Sequence, residues 1–228
     1  MSVGLSLATT LLAFSPASLP ELPAAADSTW THKGVVVRMH DGPARSLEWE
    51  FFLAAPVDAV WHAWVTPDGL TTWAGPAALV DLRAGGTWEV HFNPDRPAGE
   101  RGSDANEIVS FEAGRFLHIK AGAPLEFPTI REQKTDFTVT LEALGSEHTR
   151  VVVRQGGWLD GDEWDRGYRY LADANAEWLS WMVRRYISGP LEWPSAPARS
   201  RRFGPVRRFP SRTSAADTCG SGRTQQAT

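Results

Sequence analysis

The residues able to do chemistry are few and scattered. Six histidines, His32, His40, His62, His91, His118 and His148, occur with no H-E-x-x-H or paired metal spacing. The single cysteine, Cys219, excludes a disulfide framework and a cysteine-based zinc site within one chain. Gly85-Gly86 lies between two strand patterns and reads as a turn, not as a phosphate cradle leading into a helix, and no G-x-S-x-G nucleophile elbow is present. What remains is His118 with Asp136 or Glu107, an imidazole and a carboxylate on neighbouring strands, the pairing that moves a proton to or from a substrate. A histidine on a strand is also an ordinary hydrogen-bonded structural residue, so His118 stands only as a weak catalytic candidate. No metal and no cofactor is expected.

Binding is better represented than catalysis. Trp88 and Phe92 share one face of a strand, Phe116 and His118 a face of another, and Phe137 and Val139 a face of a third. Leu171, Trp178 and Trp181 fall on one stripe of a helix, so these faces, if concave, line a space between sheet and helix. The loop between them carries Asn93, Asp95, Arg96, Glu100, Arg101 and Asp104. There Arg101 either holds a ligand carboxylate with its two-pronged guanidinium or pairs within the loop. The expected ligand-binding set is therefore Trp88, Phe92, Phe116, His118, Phe137, Leu171, Trp178, Trp181 and Arg101.

The elements that must position these groups follow from hydrophobic period. Residues 46–53 (SLEWEFFL) alternate, with Trp49, Phe51 and Leu53 on one side, as a strand does. Pro56 starts a helix that carries Val57, Val60, Trp61 and Trp64, and a second short helix runs from Pro67 to Trp73 before Gly75-Pro76. The period then switches to two, giving strands at 78–82, 86–92, 107–111, 115–120, 135–141 and 149–155, with 121–132 a proline-bearing connection. Their short turns make an antiparallel meander. A helix over about 162–188 closes the chain, stopped by Gly189-Pro190. Its stripe contains Trp164, Tyr168, Leu171, Asn175, Trp178, Trp181, Met182 and Tyr186. One strand, two small helices, six strands and a long amphipathic helix make an α+β domain with the sheet wrapped on the helix.

Both termini differ from this middle. Of 228 residues with net charge −4, the segment 194–228 carries seven Arg against Asp217, so it is +6 and the rest is −10. Rich in Pro, Ser, Gly and Arg without an apolar period, it is expected to be a disordered, solvated extension and not a nucleic-acid-binding arm. Residues 1–43 contain a short apolar run from Val3 to Phe14 and Ala24-Ala25-Ala26 before Asp27, a small-x-small cleavage pattern lacking the basic start of a secretory signal. Cleavage after Ala26 predicts a periplasmic or secreted protein, and an intact leader a cytoplasmic one. No run reaches the ~18 apolar residues of a membrane span.

The middle segment resembles a known family. Residues 55–76, APVDAVWHAWVTPDGLTTWAGP, are similar to the opening of the activator of heat-shock-protein-90 ATPase homologue-like branch of the START/Bet v 1-like (SRPBCC) superfamily, and Leu82-Arg83-Ala84-Gly85-Gly86 with Trp88 matches its turn. Residues 91–117, 156–171 and 187–193 look like segments of a bacterial subgroup. The resemblance covers residues 46–193 and implies a helix-grip fold of about seven strands, a domain at 44–193, and a cavity enclosing a small hydrophobic or amphipathic molecule without catalysis. Cyclase and dehydratase relatives imply the alternative of a cyclase-, dehydratase- or hydrolase-like enzyme using a cavity histidine, His118, and the co-chaperones imply a chaperone-linked protein-interaction module. Contact with the chaperone is not inherited, because residues 1–45 resemble nothing of the co-chaperones' additional domain. The family's Trp-Trp is Trp73-Ala74 here, which implies one ring fewer near the cavity mouth.

Overall fold

The structure, a computed structural model, describes residues 28–194. Its elements are β1 (Ser28–His32), β2 (Val35–His40), β3 (Ser46–Leu53), α1 (Val57–Val65), α2 (Pro67–Thr71), β4 (Ala77–Val80) and β5 (Trp88–His91). They continue with β6 (Glu107–Glu112), β7 (Phe116–Ala121), α3 (Pro128–Gln133), β8 (Thr135–Ala143), β9 (Thr149–Gly156) and α4 (Asp162–Ser188). The signal-like run with its Ala26 cleavage pattern and the basic tail beyond Pro194, Cys219 included, lie outside the described residues.

Alternation builds the sheet. In β3, Leu47, Trp49, Phe51 and Leu53 point inward and are buried, each such side chain contributing about 1.5–3 kcal/mol. The opposite face is covered as well: Glu48 and Glu50 are bridged by Arg38 of β2 and by Arg154 and Arg150 of β9. Burial works against the Glu50 charge, but the Arg150 and Arg38 guanidinium groups outweigh it and hold the carboxyl below its ordinary range. Seven strands form one antiparallel sheet in the order β1-β2-β3-β9-β8-β7-β6. The helix α4 packs on it against β1, β2 and β3. Asp162, Glu163 and Asp165 in its first turn and Arg185 in its last complement the helix dipole. This is the α+β helix-grip architecture expected from the sequence.

Its membership differs from that expectation in three ways. First, β1 and β2 come from the stretch 1–43 assigned to a leader. Val35 and Val37 are fully buried, and Glu177 of α4 holds the hairpin turn through His32 at 2.6 Å and Lys33 at 2.7 Å. Second, β4 and β5 leave the meander and form a two-stranded sheet of their own, linked to the following chain by isolated bridges from Thr87 to Glu107 of β6 and from His91 to Gly102 in the loop before it. The Gly85-Gly86 turn before β5 is required by geometry: Gly85 sits at φ +73°, and a Cβ on Gly86 would lie 2.0 Å from the Asp81 carbonyl oxygen. Third, the segment 121–132 contains α3. Its N-terminal N–H groups are capped from α4, where Glu163 accepts from Thr129 N at 2.7 Å and Ile130 N at 3.1 Å. No local pattern announces a cap supplied from so far along the chain.

Candidate functional site

A cavity of about 410 Å³ opens between the sheet and α4, within the range typical of small-molecule sites. Ile119 of β7, Phe137 of β8 and Gln155 of β9 form the sheet wall, and Leu171, Asn175 and Trp178 of α4 face them. Trp88 of β5 closes one side, while the 99–104 loop and the 122–126 segment form the lips, with Tyr170 and Arg131 between them.

The tryptophan rings are fixed from behind. Trp64, Trp73, Trp88 and Trp178 cluster with centroids 4.8–6.4 Å apart. Trp73 donates to Ala63 O at 2.9 Å, Trp88 to Trp64 O at 2.8 Å and Trp178 to Ala74 O at 3.0 Å, whereas the buried Trp64 Nε1 has no hydrogen-bond partner among the described residues. Locked by packing and by their N–H bonds, Trp88 and Trp178 present rigid faces to the cavity. Ala74, where the family has a second tryptophan, is fully buried under Trp178 and does not line the cavity, so the missing ring is a core substitution and not a change at the mouth.

Polar groups punctuate this wall. Asn175 Nδ2 donates to Gln155 Oε1 at 3.0 Å, Gln155 Nε2 to Thr135 Oγ1 at 2.8 Å, and Thr135 Oγ1 to Ala121 O at 3.1 Å, so one chain of bonds ties α4 to three strands. Asn106, only 5 % exposed, accepts from Gly122 N at 2.9 Å.

Five of the expected residues line the cavity: Trp88, Phe92, Phe137, Leu171 and Trp178. Four do not. Phe116 and His118 lie on the opposite face of β7, because Leu117, Ile119 and Ala121 hold the inward parity. His118 Nε2 and Lys120 Nζ each meet Asp136 Oδ1 at 2.8 Å on the outer surface. There burial opposes the Asp136 charge, but Lys120 and then His118 hold its carboxyl below the ordinary range. Trp181 turns away from the sheet to pack against Phe92 and Trp193, at 6.5 and 5.8 Å.

Arg101 is engaged inside its own loop. Its Nε donates to Asp104 Oδ1 at 2.9 Å, and its NH2 lies 3.4 Å from Glu89 Oε2. Asp104 also accepts from Gly99 N and Gly102 N. Burial raises the cost of its charge, but Arg101 and these amides hold the carboxyl below its ordinary range. Glu89, His91 and Asp104 bring potential metal-ligating atoms within 4.8 Å of one another. The Glu89 oxygens, however, already accept from Ala105 N and meet His91 Nε2, each at 2.8 Å, and Arg101 supplies the cation. The cluster acts as a staple that shapes the 99–106 loop.

Residues not anticipated from the sequence are Asn106, Gln155, Tyr170 and Arg131. The available clue was Asn175, a polar residue on an otherwise apolar helical stripe.

The family model described as Activator of Hsp90 ATPase homolog 1-like protein matches residues 54–182. No curated protein matches the chain. Among solved structures, the Aha1 dimer from Colwellia psychrerythraea is 16% identical, with 63% of this chain and 97% of that one covered at a TM-score of 0.50. Protein MLL2253 from Mesorhizobium loti is also 16% identical, with 64% and 100% covered at 0.50. CalU16 from Micromonospora echinospora is 19% identical, with 72% and 87% covered at 0.49. At 16% identity the likeness to the first two concerns the fold alone.

Proposed function

The chain belongs to the Activator of Hsp90 ATPase homolog 1-like family of the SRPBCC superfamily, and from that premise we propose that it holds a small hydrophobic or amphipathic molecule in the cavity between sheet and α4, without catalysing its conversion. The observation that carries this reading is the open cavity itself, walled by Trp88, Phe137, Leu171 and Trp178. Apolar surface left uncovered in that shape gains most from an apolar guest. The acid–base alternative loses support because His118 and Asp136 meet on the outer face of the sheet. Chaperone stimulation is not part of the proposal.

Native mass spectrometry of the protein purified from its own host tests the reading. A retained small molecule, released on denaturation, supports it, and an empty protein counts against it. Export is proposed on separate grounds: cleavage after Ala26 would place Asp27 at the new N-terminus, directly ahead of β1 at Ser28, and would leave the sheet whole. N-terminal sequencing that starts at Asp27 supports export, and an intact Met1 ends it.

A further inference from the structure

The charges lining the cavity are Glu100, Asp104, Glu126 and Arg131. Glu100 is paired with Arg96 at 3.1 Å, Asp104 is held by Arg101, and Glu126 stands exposed at the rim. Arg131 is different. Its NH1 donates to Ala123 O at 2.7 Å and its NH2 to Gly99 O at 2.6 Å, and among the described residues no carboxylate pairs with it. Two backbone carbonyls, one from each lip, thus fix the plane of a half-buried guanidinium while its charge stays unneutralised. Three of its five N–H donors are left over. Beside it, Asn106 spends its Oδ1 on Gly122 N, the neighbour of Ala123, and its Nδ2 makes no hydrogen bond among the described residues.

We infer that the cavity takes an amphipathic carboxylic acid, its carboxylate against Arg131 and Asn106 and its apolar body against Trp88, Phe137 and Trp178. The inference rests on the ligand-cavity reading above and assigns the head group. A guanidinium held in place before binding loses little entropy when it meets a carboxylate, and its planar fork matches the two oxygens. Arg101, which the sequence offered for this role, already has its acids.

Calorimetric titration with 2-naphthoate, 2-naphthol and 2-naphthylmethylamine, which share one apolar body and differ in head-group charge, tests the assignment. The wild-type protein is expected to bind the acid roughly ten- to hundredfold more tightly than the alcohol, as a charge-assisted bond implies, with the amine weakest. Arg131→Gln is expected to erase that preference, read as the ratio of acid to alcohol affinity within the variant. Because Arg131 also ties the lips together, Arg131→Lys is measured in parallel, and the preference is expected to fall several-fold as the fork is lost. Equal wild-type affinities for acid and alcohol, or a preference unchanged in both variants, overturn the head-group assignment and leave the cavity reading standing. No binding of any of the three probes overturns both.

Discussion

The ring of Trp88 stands edge-on to that of Trp178, with centroids 6.4 Å apart and planes at 88°, and each indole N–H is spent on a backbone carbonyl behind it. The two rings come from a ribbon strand and from the long helix, yet neither can rotate without losing a hydrogen bond. The cavity wall is therefore rigid, which would lower the cost of binding for the proposed ligand.

Filling the cavity should separate binding from stability. Ala174 lines it from α4, so Ala174→Trp places a ring in the open volume. Loss of naphthol binding is expected, with a stability change of at most about 1–3 kcal/mol. Trp178→Ala removes the wall itself and is expected to cost about 3–5 kcal/mol. Urea unfolding and ligand titration of the two variants provide the comparison, and full affinity in Ala174→Trp would locate the ligand elsewhere.

The loop staple predicts a stability effect with little direct effect on apolar contacts. Asp104→Asn keeps the side-chain shape but weakens its bonds to Arg101 Nε, Gly99 N and Gly102 N. A loss of roughly 1–3 kcal/mol is expected in chemical denaturation. The Asp104 carboxyl is depressed in the folded protein, so its contribution is present above the ordinary carboxylate range and fades on acidification below it. The Asp104→Asn deficit should narrow accordingly.

A second acid window belongs to Glu177. Lys33, and then His32, hold its carboxyl down to about 2 from an ordinary 4.5. A depressed carboxylate stabilises the fold above its unfolded value, and that contribution disappears as pH falls through the folded value. The difference in Tm between the wild type and Glu177→Gln should therefore shrink and vanish as pH falls from about 4.5 to 2. A difference that persists at pH 2 would show that the carboxylate charge is not what anchors the β1–β2 hairpin.

His118→Ala should change little. The pair with Asp136 lies on the outer face, and Lys120 continues to hold the carboxylate. A cost below about 1 kcal/mol and unchanged ligand affinity are expected. A drop in affinity or in any turnover of bound ligand would return the histidine to the site.

Much of the architecture was legible locally. The alternation in SLEWEFFL, the proline that opens α1 and the long stripe that ends at Gly189 are each written within one element. In β7 the clue was present but not decisive. Of its two parities, Phe116-His118-Lys120 is the more polar and faces out, while Leu117-Ile119-Ala121 faces the core. An aromatic on the polar side made both faces plausible, and a shift of one residue exchanges them.

The sequence by itself determined the family and the kinds of the elements from β3 to α4 other than α3, because helical and strand periods and turn residues act over a few positions, whereas β1, β2 and α3 were not read from it. Only the tertiary structure decided which residues meet at the cavity. Glu163 caps α3 from another helix, the β1–β2 hairpin is held to α4 by Glu177, and Asp104 pairs with Arg101 while Arg131 lines the cavity with no carboxylate partner among the described residues. The first two outcomes depend on partners distant along the chain, and the third on a loop conformation, and electrostatic pairing is settled by distance in space, which no local pattern carries.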